Sequence, residues 1–373
     1  MALAVGAIGA DLGRIHGAIA APGQGKIRDN VLGDRRFALM DLNQSPPPPP
    51  PSPAPLTETA ATDAPPAIAH RRVLLLINRH SRRGREATGQ AIEGLERHGC
   101  EVTFRSTRSP EDLSHTIRQY ADRVDVVVIG GGDGTLNGAL PALLETGLTL
   151  GILPLGTAND LARTLELPLD LDGACRAIAT GPIQPIDIGQ VNDRYFFNVA
   201  SLGLSVKITR YLSGAQKKRW GVLAYLWSAI QALTHSRPFH AQIEANGEIV
   251  QVRTVQIAVG NGRYYGGGLA IAWDATIDDR RLDLYSLEIS HWWQMLPLLP
   301  ALRSGRQSRA ATVRTLDAEE IIVHTRRTRS VNTDGEITTS TPAHFRVLPA
   351  ALPVVRPSGE RPGPAAPPPR EIR

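Results

Sequence analysis

Apolar and polar positions change their rhythm near residue 71. From there Val73-Leu74-Leu75-Leu76-Ile77 reads as a buried strand, Glu86 to His98 as a helix ending at Gly99, and Glu101 to Arg105 as a strand. Pro110 to Asp122 follows as a helix, then Val124-Asp125-Val126-Val127-Val128-Ile129 as a run of β-branched residues. A run of that kind fits a strand buried on both faces, as in a parallel sheet. A short apolar run from Leu148 to Leu153 and a helix from Asp160 to Leu167 continue the series. Strand and helix alternating at this spacing imply right-handed crossovers and a parallel sheet with helices on its faces.

From about Ile186 strands dominate. Ile186 to Val191, Arg194 to Val199, Phe239 to Ala245 and Glu248 to Val259 read as strands, the last two joined by Asn246-Gly247, a strong hairpin signal. Leu282 to Glu288, Thr312 to Thr315, Glu319 to His324 and His344 to Val347 follow, and many strands with short turns predict an antiparallel β-sandwich. The expected fold is therefore an α/β domain with a parallel sheet over residues 71–185 and a mainly antiparallel β-sandwich over residues 186–350. Two apolar stretches carry tryptophan, Lys217-Lys218-Arg219-Trp220 leading into Val222 to Leu233, and His291-Trp292-Trp293 to Leu302. Each reads either as a core-covering helix or as a lipid-facing surface with basic residues for anionic headgroups.

Composition changes the picture at the ends. Of 373 residues 42% are hydrophobic and 21% charged, which suits globular cores, but the 29 prolines crowd into the termini. Residues 1–70, with Pro46 to Pro51, and residues 351–373 are expected to be disordered. A signal peptide is disfavoured, because the start lacks a basic region and Asp11 and Arg14 interrupt its apolar run. Cys100 and Cys175 are the only cysteines, which excludes a disulfide framework and a zinc site of cysteine pairs and suits a reducing cytoplasm. No apolar stretch is long enough to predict a membrane-spanning helix. The net charge of +5 suits an anionic nucleotide, a membrane surface or nucleic acid, but no helix-turn-helix or aromatic-basic strand motif supports nucleic acid.

The candidate chemistry lies after the β-branched run, in Gly130-Gly131-Gly132-Asp133-Gly134-Thr135-Leu136-Asn137. Four glycines within five residues remove every Cβ that would hold a ligand away, so amides can converge on phosphate. Asp133 beside phosphates implies a divalent cation or a ligand hydroxyl. This is neither G-x-G-x-x-G nor G-x-x-x-x-G-K-[ST]. A second anchor is Leu153-Pro154-Leu155-Gly156-Thr157-Ala158-Asn159-Asp160-Leu161-Ala162-Arg163, where Thr157 or Asn159 is expected to cap a helix aimed at the same anion. Ligands bind at such adjacent strand ends in open α/β sheets. Near the chain's end Asp334-Gly335-Glu336 brings two carboxylates together in a turn, one of which can serve as a base while the other binds metal.

In combination, Gly-Gly-Asp-Gly-Thr-x-Asn, Pro-Leu-Gly-Thr-x-Asn-Asp-Leu-Ala and Asn332-Thr333-Asp334-Gly335-Glu336 resemble the diacylglycerol kinase catalytic-domain family, the bacterial soluble lipid kinases related to sphingosine and ceramide kinases. The resemblance spans about Arg72 to Leu348. It implies an ATP-dependent, Mg²⁺-dependent kinase acting on a hydroxyl of a membrane lipid, in the cytoplasm and in peripheral contact with the membrane. It further implies that Asn78, Thr107, Gly131 to Asn137, Thr157 and Asn159 bind ATP, that Glu336 is the base, and that Asp334 is its partner at the metal or substrate. An accessory Mg²⁺ or Ca²⁺ site is implied at Asp279 with carbonyls near Thr276 and Arg281.

Three departures from the family stand out. Asn78-Arg79-His80-Ser81-Arg82-Arg83-Gly84 lacks the family's Pro and near Gly, so its arginines either replace backbone contacts to phosphate or form a solvated turn. Gly138 stands where a Glu is common, and Arg280 where a Gly is. The rival readings are a kinase of a soluble substrate, of the NAD kinase or phosphofructokinase kind, and a lipid- or nucleotide-binding protein without turnover. The first lacks the Gly156-Thr157-Ala158-Asn159-Asp160 element, and only the departures favour the second. A homodimer is compatible with the sequence.

Overall fold

In the computed structural model, residues 70–77, 82–212, 237–272, 275–291, 293–294, 298, 304–305 and 310–358 are described. They belong to one compact unit, residues 64–373. The expectations for residues 1–69 and 359–373, for Asn78, and for Lys217 to Leu233 lie outside the described residues.

The first half alternates as its pattern predicts. The elements are β1 (Arg72–Ile77), α1 (Arg82–Arg97), β2 (Glu101–Ser106), α2 (Pro110–Gln119), β3 (Val126–Gly131), α3 (Asp133–Thr146), β4 (Thr149–Pro154), α4 (Asp160–Thr164) and α5 (Leu171–Thr180). Strands β2, β1, β3 and β4 lie side by side, all parallel, so the C-terminal ends of β3 and β4 open on the same edge. Helices cover both faces. Leu74, Leu76, Val127 and Ile129 pack with Leu136 and Leu140 of α3 on one side, and Val73, Leu75, Val126 and Val128 with Ala91, Leu95 and Ile178 on the other. Burial on both faces explains why these strands read as continuous apolar runs.

The second half is strand-rich. Its elements are β5 (Ile183–Val191), β6 (Arg194–Phe196), β7 (Val199–Gly203), α6 (Leu204–Leu212), β8 (Phe239–Ala245), β9 (Glu248–Thr254), β10 (Gln256–Gly260), β11 (Tyr264–Tyr265) and β12 (Leu269–Ala270). Then follow β13 (Leu282–Leu287), β14 (Val313–Ala318), β15 (Glu320–Thr325), β16 (Ser330–Thr333), β17 (Glu336–Ser340) and β18 (Ala343–Val355). One layer is the antiparallel sheet β14-β13-β10-β7-β16-β17, and the other continues from β4 through β18 to β15, β8 and β9. Phe196, Leu202, Ile243, Ile257, Leu284, Val323, Val331 and Phe345 fill the space between them. The parallel sheet and the antiparallel sandwich are both as expected, and Asn246 and Gly247 turn the β8–β9 hairpin with positive φ of 53° and 77°.

Four expectations are corrected. The run Glu248 to Val259 is not one strand, because the chain changes layers at Val255, whose N–H donates to Leu287 O. Nothing in Val-Arg-Thr-Val-Gln-Ile-Ala-Val marks that step. Arg194 to Val199 is broken at Phe197-Asn198, whose amides turn toward Asp334. Helix α4 stops at Thr164 rather than Leu167, with Glu166 at φ 58°.

The chain also does not lose order at residue 351. Strand β18 runs on to Val355, pairing antiparallel with β5 and meeting β4 in parallel at Val354 and Leu150. Its prolines sit at or beyond an irregularity between Leu348 and Leu352, where Ala350 takes φ 49° and donates its N–H to Asp187. Proline is tolerated in a strand at such a bulge, so the Pro-rich composition misled.

Candidate functional site

The glycine loop forms because β3 ends in Gly130-Gly131 and α3 starts at once. Gly132 is the N-cap of α3 with no side-chain cap, and the amides of Thr135 and Leu136 both reach Gly132 O. The amides of Asp133 and Gly134 are thus the open first-turn donors of a 14-residue helix, where a partial positive charge favours an anion.

The second loop comes against it directly. A Cβ on Gly156 would lie 2.5 Å from Gly132 Cα, and one on Gly132 would lie 3.0 Å from Gly156 Cα. Leu155 N donates to Gly131 O at 3.0 Å and Leu161 N to Asp133 Oδ1 at 3.0 Å. Gly156→Ala is expected to push the two loops apart and cost about 1–3 kcal/mol of stability, the usual penalty for overpacking. A denaturant midpoint equal to that of the unaltered chain contradicts this contact.

The helix cap expected from Thr157 or Asn159 is not made. Asn159 occupies the N-cap position of α4 with φ 52° and no side-chain cap bond. Its carboxamide is turned back into the loop, accepting from Gly156 N at 2.9 Å and donating to Pro154 O and Gly156 O. Thr157 is exposed on the rim. Thr107 is 3% exposed beside the end of β1, its N–H on Ile77 O. Leu136 belongs to the core, so only its backbone faces the loop. Thr135 crowds Gly131, where a Cβ would lie 2.7 Å from the Thr135 Cβ.

The turn between β16 and β17 joins this group from the other half of the chain. Asp334 has φ 46° and its carboxylate accepts four hydrogen bonds, from Phe197 N (2.7 Å), Asn198 N (3.0 Å), Val199 N (3.0 Å) and Asn137 Nδ2 (2.8 Å). Burial raises its pKa above the ordinary carboxylate range, with those donors pulling the other way. Glu336 is exposed, its carboxylate makes no hydrogen bond among the described residues, and its Oε1 lies 3.7 Å from the position a Cβ on Gly134 would take. Two carboxylates two residues apart thus have opposite surroundings, one fully engaged and one free beside the glycine loop.

Asp160 was not singled out by its motif position. It is 6% exposed, its Oδ2 accepts from Gly267 N at 3.0 Å, and its Oδ1 is buried without a partner. Desolvation, and then the charges of Asp133 and Asp334, push its pKa up to about 6 against the pull of the Gly267 amide. The partner amide comes from the turn Gly266-Gly267-Gly268 between β11 and β12, whose φ values of 60°, 86° and 111° require glycine. The other end of α4 is held too: Thr164 Oγ1 donates to Asn198 Oδ1 and accepts from Tyr264 N. The triple glycine is the sequence signal that leads to this contact.

The accessory site at Asp279 lies apart. Arg280, standing where the family has Gly, still takes φ 61°, and its N–H is fixed by Asp187 Oδ2 at 2.6 Å. Thr276 and Arg281 both donate to the Asp279 carboxylate, which orients it. Among the described residues no three His, Cys, Asp or Glu gather as ligands for a metal ion. No described helix is long and apolar enough to cross a membrane.

Comparison with known proteins agrees with this geometry. Residues 72–191 match the family model of the diacylglycerol kinase catalytic domain, and residues 198–356 that of the YegS C-terminal NAD kinase beta sandwich-like domain. The chain is 30% identical to the diacylglycerol kinase of Bacillus subtilis over 272 residues, covering 72% of this chain and 90% of that protein. It is 32% identical over 290 residues to the Yersinia enterocolitica protein called "Probable lipid kinase YegS-like", covering 75% and 95%. A crystal structure of a diacylglycerol kinase from Bacillus anthracis Sterne superposes with a TM-score of 0.64 at 24% identity, over 77% of this chain and 98% of the other, a likeness of fold.

Proposed function

Since the chain belongs to the diacylglycerol kinase catalytic-domain family and is a kinase, we propose that it transfers the γ-phosphate of ATP to a hydroxyl of a membrane lipid of the diacylglycerol, phosphatidylglycerol or sphingoid kind. The observation that carries this reading is Glu336, an unengaged carboxylate against Gly134 of the phosphate loop. Phosphoryl transfer asks for positioning, charge neutralisation and a base for the acceptor hydroxyl. The Asp133 and Gly134 amides at the start of α3 bind phosphate oxygens, and the contact of Gly132 with Gly156 lets the backbone approach them closely. Glu336 takes the proton of the acceptor hydroxyl as its oxygen bonds to the γ-phosphorus, the bond from that phosphorus to the β-phosphate oxygen breaks, and ADP leaves.

The donor set fits a divalent cation. Asp133 has one oxygen engaged among the described residues and Asp160 keeps a buried oxygen without a partner, a hard-oxygen pair of the kind Mg²⁺ selects. Bound there with ATP, the ion would neutralise charge on the phosphates. Asp279, with carbonyls near Thr276 and Arg281, is proposed for an accessory Mg²⁺ or Ca²⁺; the glycine-like turn at Arg280 supports it. The enzyme works in the cytoplasm and meets its acceptor at the membrane surface.

The test is radiolabelled ATP with a panel of diacylglycerol, phosphatidylglycerol, sphingoid bases and ceramide, followed by chromatography of the products. A labelled lipid is expected; label confined to a soluble product sinks the lipid reading. Asp133→Ala is expected to lower kcat/KM by about a hundredfold, ~2.7 kcal/mol. Undiminished turnover in a folded Asp133→Ala protein overturns the role of the loop.

A further inference from the structure

We infer that the end of the β-sandwich carrying Lys207, Arg237, Arg326, Arg327 and Arg329 is a docking face for an anionic lipid bilayer. The sequence is lopsided here. No Asp or Glu occurs between Asp193 and Glu244, a stretch with seven Lys or Arg, and none occurs between Glu320 and Asp334, which holds three Arg. The register brings Arg237 and the turn from Arg326 to Arg329 to one end. Strand β8 starts at Phe239 and pairs with β15 so that Ala241 meets Thr325, which puts Arg237 beside the turn holding Arg326 and Arg327. The Arg329 guanidinium lies 3.8 Å from the Phe239 ring centre.

Lys207 of α6 completes the group: burial first, and then Arg329 and Arg237 beside it, hold its ammonium below the ordinary lysine range. Like charges gathered without an acidic residue in either stretch repel one another, and a surface dense in negative headgroups relieves that repulsion. Carboxylates lie at the opposite end of the same strands. Glu244, Asp317, Glu319 and Glu320 line a cavity of about 510 Å³ there, where Arg281 pairs with Asp317 at 2.6 Å. The sandwich is therefore polarised along its strands, which sets an orientation on a charged plane as well as an affinity.

Three features make the plane a bilayer carrying the acceptor. Exposed Arg326 and Arg327 stand on a turn braced from below by Thr325 Oγ1 on Arg327 O and by Arg329 N on Thr341 Oγ1. From Arg329 the strand β16 runs four residues to Thr333 and the Asp334-Gly335-Glu336 turn, about 13 Å at the usual strand rise. Helix α6 links the two places, since Thr209 Oγ1 accepts from Asn332 Nδ2 and Asn332 Oδ1 accepts from Gly335 N. The basic face and the proposed base thus share one strand and one helix.

This inference rests on the lipid-acceptor reading for its purpose, yet binding is measured without ATP or acceptor. The full chain is sedimented with phosphatidylcholine vesicles with and without phosphatidylglycerol. Binding is expected only with phosphatidylglycerol and is expected to weaken with added salt. The paired change Arg326→Glu and Arg327→Glu should weaken it about tenfold or more. A control pair of equal charge change at exposed arginines without an ion pair among the described residues, Arg105→Glu and Arg123→Glu, should leave it intact, and the melting temperatures of all three proteins should agree. Equal loss in both pairs, no binding to phosphatidylglycerol, or tighter binding to a single-stranded oligonucleotide through the same arginines overturns the proposal. A chain that docks through these arginines but phosphorylates no lipid upholds the face and sinks the acceptor reading instead. Lipid phosphorylation on vesicles that the Arg326 and Arg327 changes leave untouched sinks the face alone.

Discussion

Glu336→Gln is expected to lose kcat by about 10²–10⁴-fold with a nearly unchanged KM for ATP, because a base acts mainly in the transition state. The Glu336 carboxylate has no hydrogen-bond partner among the described residues, so the amide should fit without disturbing the fold. Asp334→Asn should behave otherwise. From sequence Asp334 stood at the metal or substrate, with a raised Mg²⁺ requirement as the consequence of losing it. Its four donors argue instead for a positioning residue that ties α3, through Asn137, to the strand-rich half. An amide has one acceptor oxygen and would turn its NH₂ toward backbone N–H groups, leaving at least one buried donor unpaired at about 1–3 kcal/mol. Asp334→Asn is therefore expected to lower the melting temperature and the activity together, with no rescue by added Mg²⁺. If Glu336→Gln keeps most of its kcat while a stable Asp334→Asn protein is inactive, the roles are reversed.

The parts of the site legible in the sequence were those whose chemistry is local. A glycine run after a β-branched strand specifies a close-packed strand-to-helix loop within eight residues, and Asn-Gly specifies its hairpin within two. Illegible parts depend on distant backbone. The amides that hold Asp334 come from residues 197–199, more than 130 positions earlier, and no side-chain pattern announces an N–H. The same holds for β18, whose place beside β4 and β5 follows from pairing rather than composition, so that its prolines read as the start of a tail. Asn159 shows the intermediate case: its residue type was right for a helix cap, but the close packing of Gly132 on Gly156 gives its carboxamide a better use in bracing the loop. Asp160 looks like its neighbours in the motif, because the burial that sets it apart is invisible there.

Asp160 also gives the second large effect, in which stability and activity part company. Its pKa lies near 6 in the folded chain against the usual 3.8, from desolvation first and the neighbouring Asp133 and Asp334 charges next. A raised carboxyl pKa means that the folded state holds a proton the unfolded chain releases. Stability is therefore undiminished below about pH 4, falls as pH rises through the interval from 4 to 6, and above that carries a constant penalty of about 3 kcal/mol, with about half of it in place at pH 5. Asp160→Asn removes the charge while keeping an oxygen for the Gly267 amide. The variant should thus be more resistant to denaturant than the unaltered chain by about 2–3 kcal/mol at pH 8, with the gain shrinking toward pH 4. The same change withdraws a negative oxygen from the Asp133 neighbourhood, so the kinase should lose at least tenfold in kcat/KM or require more Mg²⁺. Unfolding curves at pH 5 and pH 8, read beside Mg²⁺ titrations of activity, check both halves. An Asp160→Asn protein that is less stable at pH 8, or stabilised equally at both pH values, shows that its surroundings do not raise the pKa of the buried carboxyl.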